Sequence, residues 1–149
     1  MATSSSRRKL SGDQQGAALR AVFKTFRQVA RGNPYVWEGV LAPMGCGPYG
    51  VRIAYYPGLV RPRVTIVDPV LVPREPGVRI PHTFKSGRIC LHLNEEWDPS
   101  IYLHQTIVPW TCLWLYYYEV WHATGEWLGG GHGTANDQVS AEVDSKEQA

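Results

Sequence analysis

The chain has 149 residues, of which 44% are hydrophobic and 19% charged, and a formal net charge of +2. This composition fits one soluble globular domain with a core of its own, not two. The charge is too small to argue for nucleic acid, and no run approaches the roughly 18 apolar residues of a membrane span. The basic start from Met1 to Lys9 lacks the apolar stretch of a secretory signal.

Three cysteines, Cys46, Cys90 and Cys112, lie at wide spacing, which is neither a disulfide framework nor a zinc-binding CxxC pattern. A reducing, cytoplasmic setting is expected, with no metal and no cofactor.

Residues 1–10 read as a disordered arm. Ser11-Gly12-Asp13-Gln14 fits a capping box, with Ser11 as N-cap and Gln14 reaching back. Beyond it Leu19, Val22, Phe23, Phe26 and Ala30 recur at helical spacing, while Arg20, Lys24, Arg27 and Arg31 share another face. The spacing predicts a helix that runs to the breakers Gly32-Asn33-Pro34. Its basic face is either a solvated surface or a surface for a partner.

Three strand-like segments follow. Tyr35 to Leu41 is rich in aromatic and β-branched residues. Tyr49, Val51, Ile53 and Tyr55 alternate with small or polar residues, and Val64 and Ile66 mark the third segment. Short connections bearing Gly and Pro make an antiparallel meander the simplest topology. Asp68 to Gly77 holds Pro69, Pro73 and Pro76 and reads as an extended connector.

From Ile107 the period is helical again, through Trp110, Leu113, Trp114, Tyr117 and Trp121. Pro109 belongs in the first turn, where its missing N–H costs nothing, and Gly125 lies at or beyond the end. The aromatic cluster here is either core or an interaction face. Trp127 and Gly129-Gly130-Gly131-His132 either wrap the domain or cover a site. Residues 133–149 are polar enough to be a disordered tail. The order of elements predicts an α+β domain over residues 11–132.

The most informative stretch is Gly87-Arg88-Ile89-Cys90-Leu91, followed by Trp97-Asp98-Pro99. A cysteine between apolar residues is ordinarily a buried thiol. Cys90, however, follows Pro81-His82-Thr83-Phe84-Lys85-Ser86-Gly87, a run of turn formers and polar groups. It is either a nucleophile on a partly exposed segment or packing.

The sequence resembles a ubiquitin-conjugating enzyme in the order of its pieces. Trp37-Glu38-Gly39-Val40 looks like that family's first-strand pattern. Tyr55-Tyr56-Pro57 with Arg61-Pro62-Arg63-Val64 is similar to its YP…PP motif, with one proline replaced by arginine. Gly87 to Leu91 looks like the active-site segment and Trp97-Asp98-Pro99 like the W-x-P after it. The resemblance covers roughly residues 11–118. Two departures stand out: Ile80-Pro81-His82 replaces the family's His-Pro-Asn, and the connector before it is long. The chain's later part is similar to bacterial ubiquitin-conjugating-like proteins of anti-phage cyclic-oligonucleotide signalling (CBASS) operons.

The resemblance implies a UBC-like fold and a transferase in which Cys90 carries an acyl group as a thioester. A free thiol of ordinary pKa is about 3% ionised at pH 7, which suffices when the donor arrives already activated. In the same register His82 takes the asparagine's place at the oxyanion, and His92 is placed to poise the thiol or the incoming amine. The implied donor is the C-terminus of a cGAS/DncV-like nucleotidyltransferase or of a ubiquitin-like protein. No Gly-rich nucleotide loop is visible, so any activation comes from a separate activating enzyme. Neither nucleic acid nor membrane is an expected partner. A non-catalytic conjugating-enzyme variant, acting as a binding module, is the alternative.

Overall fold

The computed structural model describes residues 7–58, 61–91 and 97–129. The start of the arm, the tail over 133–149, His92 and His132 lie outside the described residues.

Helix α1 spans Gly12–Val22. The Ser11 hydroxyl accepts the Gln14 N–H at 3.1 Å, and the Gln14 side chain accepts the Ser11 N–H at 2.8 Å, so the capping box forms. The helix then stops well short of Gly32, which corrects the sequence expectation. Arg27–Ala30 is instead a strand, β1, paired antiparallel with β2, Tyr35–Leu41.

Two contacts explain the early stop. The Thr25 hydroxyl accepts the Val40 N–H at 3.0 Å and donates to the Val40 carbonyl at 2.9 Å, filling positions a strand would fill. Phe26 is buried over Gly39, where an added Cβ would stand 2.5 Å from the ring. Helical periodicity here merged two apolar sets, Leu19 on α1 and Phe26 beside β2, while Val22 between them is 55% exposed. The four basic residues are accordingly not one helix face. Arg20 is on α1, Lys24 in the turn and Arg27 on β1, while Arg31 makes a two-pronged pair with Asp13 at 3.0 and 2.8 Å.

Strands β3, Tyr49–Tyr55, and β4, Arg63–Asp68, complete an antiparallel meander in the order β1-β2-β3-β4. Trp37 faces Ile53, and Ile53 faces Val64. The expected alternation on β3 holds: Tyr49, Val51, Ile53 and Tyr55 are buried and Arg52 is exposed.

The proline-bearing connector has no regular structure and is pinned to the second helix. The Tyr118 hydroxyl accepts from the Val72 N–H at 3.0 Å and donates to the Val72 carbonyl at 3.3 Å. That helix, α2, spans Ile107–Thr124, carries Pro109 in its first turn and is capped by Gly125 in the left-handed conformation. A short 3₁₀ turn, Leu103–Gln105, precedes it.

One core joins these parts. Trp37 and Ile53 from the sheet meet Trp97, Leu103, Ile107, Val108 and Leu115. Burying an aliphatic side chain of this size contributes about 1.5–3 kcal/mol. Gln15 is buried among them without exposure, a position unusual for an amide. Its amide nitrogen donates to the Ile101 carbonyl and its oxygen accepts the Leu103 N–H, both at 2.9 Å. Helix α1 thus clamps the chain just before α2. The described residues form an α+β structure of two helices and a four-stranded antiparallel sheet. Among them no helix is long and apolar enough to cross a membrane.

Candidate active site

Cys90 lies at the end of a tight hairpin. The Phe84 N–H donates to the Arg88 carbonyl at 2.8 Å, and the Gly87 N–H to the Phe84 carbonyl at 3.0 Å. This turn places Gly87 at φ +88°, a conformation that glycine adopts without steric cost. Thr83 pairs with Ile89 across the hairpin, and Arg88 with Thr65 of β4. The Ile89 N–H also donates to the Val64 carbonyl at 2.9 Å. The hairpin therefore covers the outer edge of β4, which would otherwise present unpaired backbone groups.

His82 enters the hairpin at φ +53°. Histidine, like asparagine and aspartate, is enriched among non-glycine residues in this left-handed region. The His82 carbonyl oxygen accepts two hydrogen bonds, from the Cys90 N–H at 2.8 Å and from the Trp114 indole N–H at 3.2 Å. One atom thus ties the hairpin entrance, the cysteine and α2 together. Cys90 itself is half-buried.

The two flanks of the cysteine segment differ in chemistry. On one, the His82 ring lies against Trp127 with centroids 5.1 Å apart. Trp127 in turn packs on Trp114 at 5.3 Å and Tyr117 at 5.9 Å. The chain after α2 therefore wraps back onto the site. On the other flank a cleft is lined by Arg61, Arg63, Phe84, Arg88, Ile89 and Cys90. The Arg88 and Arg61 guanidinium carbons lie over the Phe84 ring at 4.8 and 5.8 Å, and that of Arg63 over Tyr56 at 4.7 Å. Arg79 braces the hairpin by donating to the Thr83 carbonyl.

Trp97 is buried and edge-on to Tyr55 at 6.3 Å. Asp98 caps the next turn by accepting the Ser100 N–H at 2.7 Å, and it also accepts the Ser100 hydroxyl. Those bonds hold the Asp98 carboxyl below its usual range.

The other two thiols have a different environment. Cys46 and Cys112 are packed against the core. Burial, reinforced by Glu119, pushes the Cys46 thiol up to about 11. Burial also raises Cys112. Glu119 further accepts the Tyr49 hydroxyl at 2.7 Å, and Tyr49 is raised by burial and then by that carboxylate. No disulfide links the three cysteines.

Of the residues singled out in the sequence, the structure brings His82 and Cys90 together, and His92 lies outside the described residues. Sequence reasoning missed the three arginines and the Trp114 bond. Arg88 was visible within the cysteine motif, and Arg61 and Arg63 flank Pro62. Their meeting depends on the hairpin docking to β4, a pairing between distant segments.

A family model described as the type II CBASS E2 protein matches residues 15–135. That is well over half of the chain, and the chain belongs to this family. No curated protein matches it.

Proposed function

We propose that this member of the type II CBASS E2 family is a cysteine acyl carrier with the ubiquitin-conjugating fold over residues 11–132. Family membership supports a conjugation-related role in CBASS. The element order, a helix, a four-strand meander, a cysteine-bearing hairpin and a second helix, supports the fold assignment. The observation that carries the chemistry is the setting of Cys90. All three thiols are half-buried, but Cys90 ends a backbone-fixed hairpin beside His82, whereas Cys46 and Cys112 pack against the core.

In the first step the Cys90 thiolate attacks the activated carbonyl at a donor protein's C-terminus. A carbon–sulfur bond forms and the activating group leaves with its electron pair. In the second step an amine attacks that carbonyl, the carbon–sulfur bond breaks, and the thiolate is restored. The amine's proton passes to a base, a role that fits His92. The tetrahedral intermediate carries an oxyanion, and a donor placed there contributes typically about 2.7–4 kcal/mol. The His82 ring N–H is the proposed donor. The proposed acyl donor is the cGAS/DncV-like nucleotidyltransferase of the operon or a ubiquitin-like protein, activated by a separate enzyme.

Expression of the chain with its operon neighbours tests this reading. The expected result is a covalent adduct that a thiol reductant releases and Cys90→Ala abolishes. Persistence of the adduct in that variant would sink the thioester. No adduct under any condition would instead favour a non-catalytic binding module.

A further inference from the structure

We infer that Trp127 is a positioning residue for the transfer step, its indole holding the His82 ring in the orientation that the step needs. The inference deepens the reading of His82 as the donor to the oxyanion and rests on it.

Two tryptophans hold His82 at two points. Its carbonyl accepts the Trp114 indole N–H at 3.2 Å, and its ring packs on Trp127 with centroids 5.1 Å apart and planes inclined by 38°. The two indoles also pack on each other, edge to face, at 5.3 Å. Both ring separations lie within about 4.5–7 Å, where aromatic rings attract. The left-handed backbone of His82 sets where its side chain leaves the hairpin, but the ring still turns about the bonds beyond. A reacting group has to be held to within about 0.5 Å and 10–20° of its productive geometry. The Trp127 contact supplies that restraint.

The chain after α2 is built to bring the indole there. Gly125 caps the helix, its N–H donating to the Trp121 carbonyl at 2.7 Å, and the Glu126 N–H donates to the Thr124 hydroxyl oxygen at 3.1 Å. Arg74 of the connector donates to the His122 carbonyl at 3.2 Å, which ties down the same helix end. Trp127 then packs on Tyr117 at 5.9 Å. At Gly129 an added Cβ would strike the Tyr117 ring and stand 2.8 Å from the Trp127 indole nitrogen, so the chain passes close over both rings. Trp127 is only partly buried, at the margin of the core, unlike the fully enclosed Trp37 and Trp97. The fold therefore leans on it less than the site does.

The test follows one acyl group through both steps in the full chain. A short peptide bearing a C-terminal glycine alkyl thioester loads Cys90: the thiolate attacks the peptide carbonyl, and the alkyl thiolate leaves. Free lysine is the acceptor. Its neutral amine attacks the isolated thioester, an amide forms, the carbon–sulfur bond breaks, and the amine's proton passes to a base. Intact-protein mass spectrometry follows both steps, and circular dichroism verifies that each variant is folded. Trp127→Ala should still load Cys90 but transfer about ten-fold more slowly, within the roughly 10²-fold that a small misplacement can cost. Trp127→Phe keeps a flat ring beside His82 and should recover most of that loss. His82→Gly removes the group through which Trp127 acts. Adding Trp127→Ala to it should change transfer by less than about two-fold, whereas a merely structural tryptophan would slow transfer equally in both backgrounds.

Transfer unchanged in Trp127→Ala, or slowed by the same factor with and without the His82 side chain, overturns the positioning role and leaves the thioester reading standing. A His82→Gly variant that transfers as fast as the parent does the same, because no ring then needs positioning. Failure of Cys90 to carry an acyl group, from the peptide and from the co-expressed donor alike, overturns the thioester reading, and the role of Trp127 falls with it.

Discussion

The backbone carbonyl of His82 accepts the N–H of Cys90 at 2.8 Å, and the same oxygen accepts the Trp114 indole at 3.2 Å. The cysteine's position is thus set by a backbone atom of the histidine and secured from α2. The His82 side chain is occupied separately, against Trp127. Backbone and ring of His82 can therefore be tested independently. A left-handed backbone at this position also accounts for the departure from the familiar motif, since asparagine and histidine both tolerate it.

Gln15 is the least conspicuous residue tying α1 to the chain before α2. Gln15→Leu keeps the bulk and removes both partners, leaving the Ile101 carbonyl and the Leu103 N–H without the bonds it supplied. Each stranded group costs about 1–3 kcal/mol where it is buried, so a loss of roughly 2–6 kcal/mol is expected. A urea titration should show a lower midpoint at unchanged slope. A variant as stable as the parent would mean that these two groups find other partners.

The three thiols should separate by reactivity. With Cys46 held at about 11, on the order of 10⁻⁴ of it is thiolate at pH 7. Cys112 is raised as well. Iodoacetamide at pH 7 should label Cys90 first, and labelling at Cys46 should rise about tenfold per pH unit up to its own pKa. Peptide mass spectrometry reads the order directly, and equal labelling at Cys46 and Cys90 contradicts it. The same shift has a consequence for stability. A folded-state pKa above the reference of 9.0 means stability is full below pH 9 and is lost as pH rises through about 11. Cys46→Ala should remove part of that alkaline loss.

Much of the fold was legible because it is written locally. The capping box, the period-two pattern of β3, the place of Pro109 and the stop at Gly125 are each decided within a few residues. What failed was α1 beyond Val22. Its continuation competes with a strand pairing whose partner, β2, lies further along the chain. The site divides the same way. Cys90 and His82 were visible from their motif, but the arginine cleft arises from the docking of the hairpin on β4, and Gln15 acts on residues 101 and 103. Neither has a local signature.

Thr25 tests that correction. In a helix, Thr→Ala gains up to about 0.7 kcal/mol of propensity. Here Thr25→Ala removes two bonds to the Val40 backbone, each worth about 0.5–1.5 kcal/mol before discounting for exposure. The variant should therefore lose stability, by about 1 kcal/mol. Thermal unfolding gives the sign, and a gain would favour the helix.

Substitutions at His82 separate its two contributions. The backbone at φ +53° admits glycine freely and asparagine readily, but a β-branched residue there is strained by about 1–2 kcal/mol. His82→Val should therefore loosen the hairpin and slow both thioester formation and transfer. His82→Gly and His82→Asn keep the carbonyl that accepts the Cys90 N–H, and both should form the thioester. They differ in what they present to the oxyanion. Asparagine offers an amide N–H and should sustain transfer to a small amine. Glycine offers no side-chain donor, and transfer should fall by about 10²–10³-fold. Single-turnover assays on the isolated thioester measure the second step alone. If the glycine variant transfers as fast as the parent, the ring has no part in the chemistry, and the role of His82 reduces to the carbonyl that fixes Cys90.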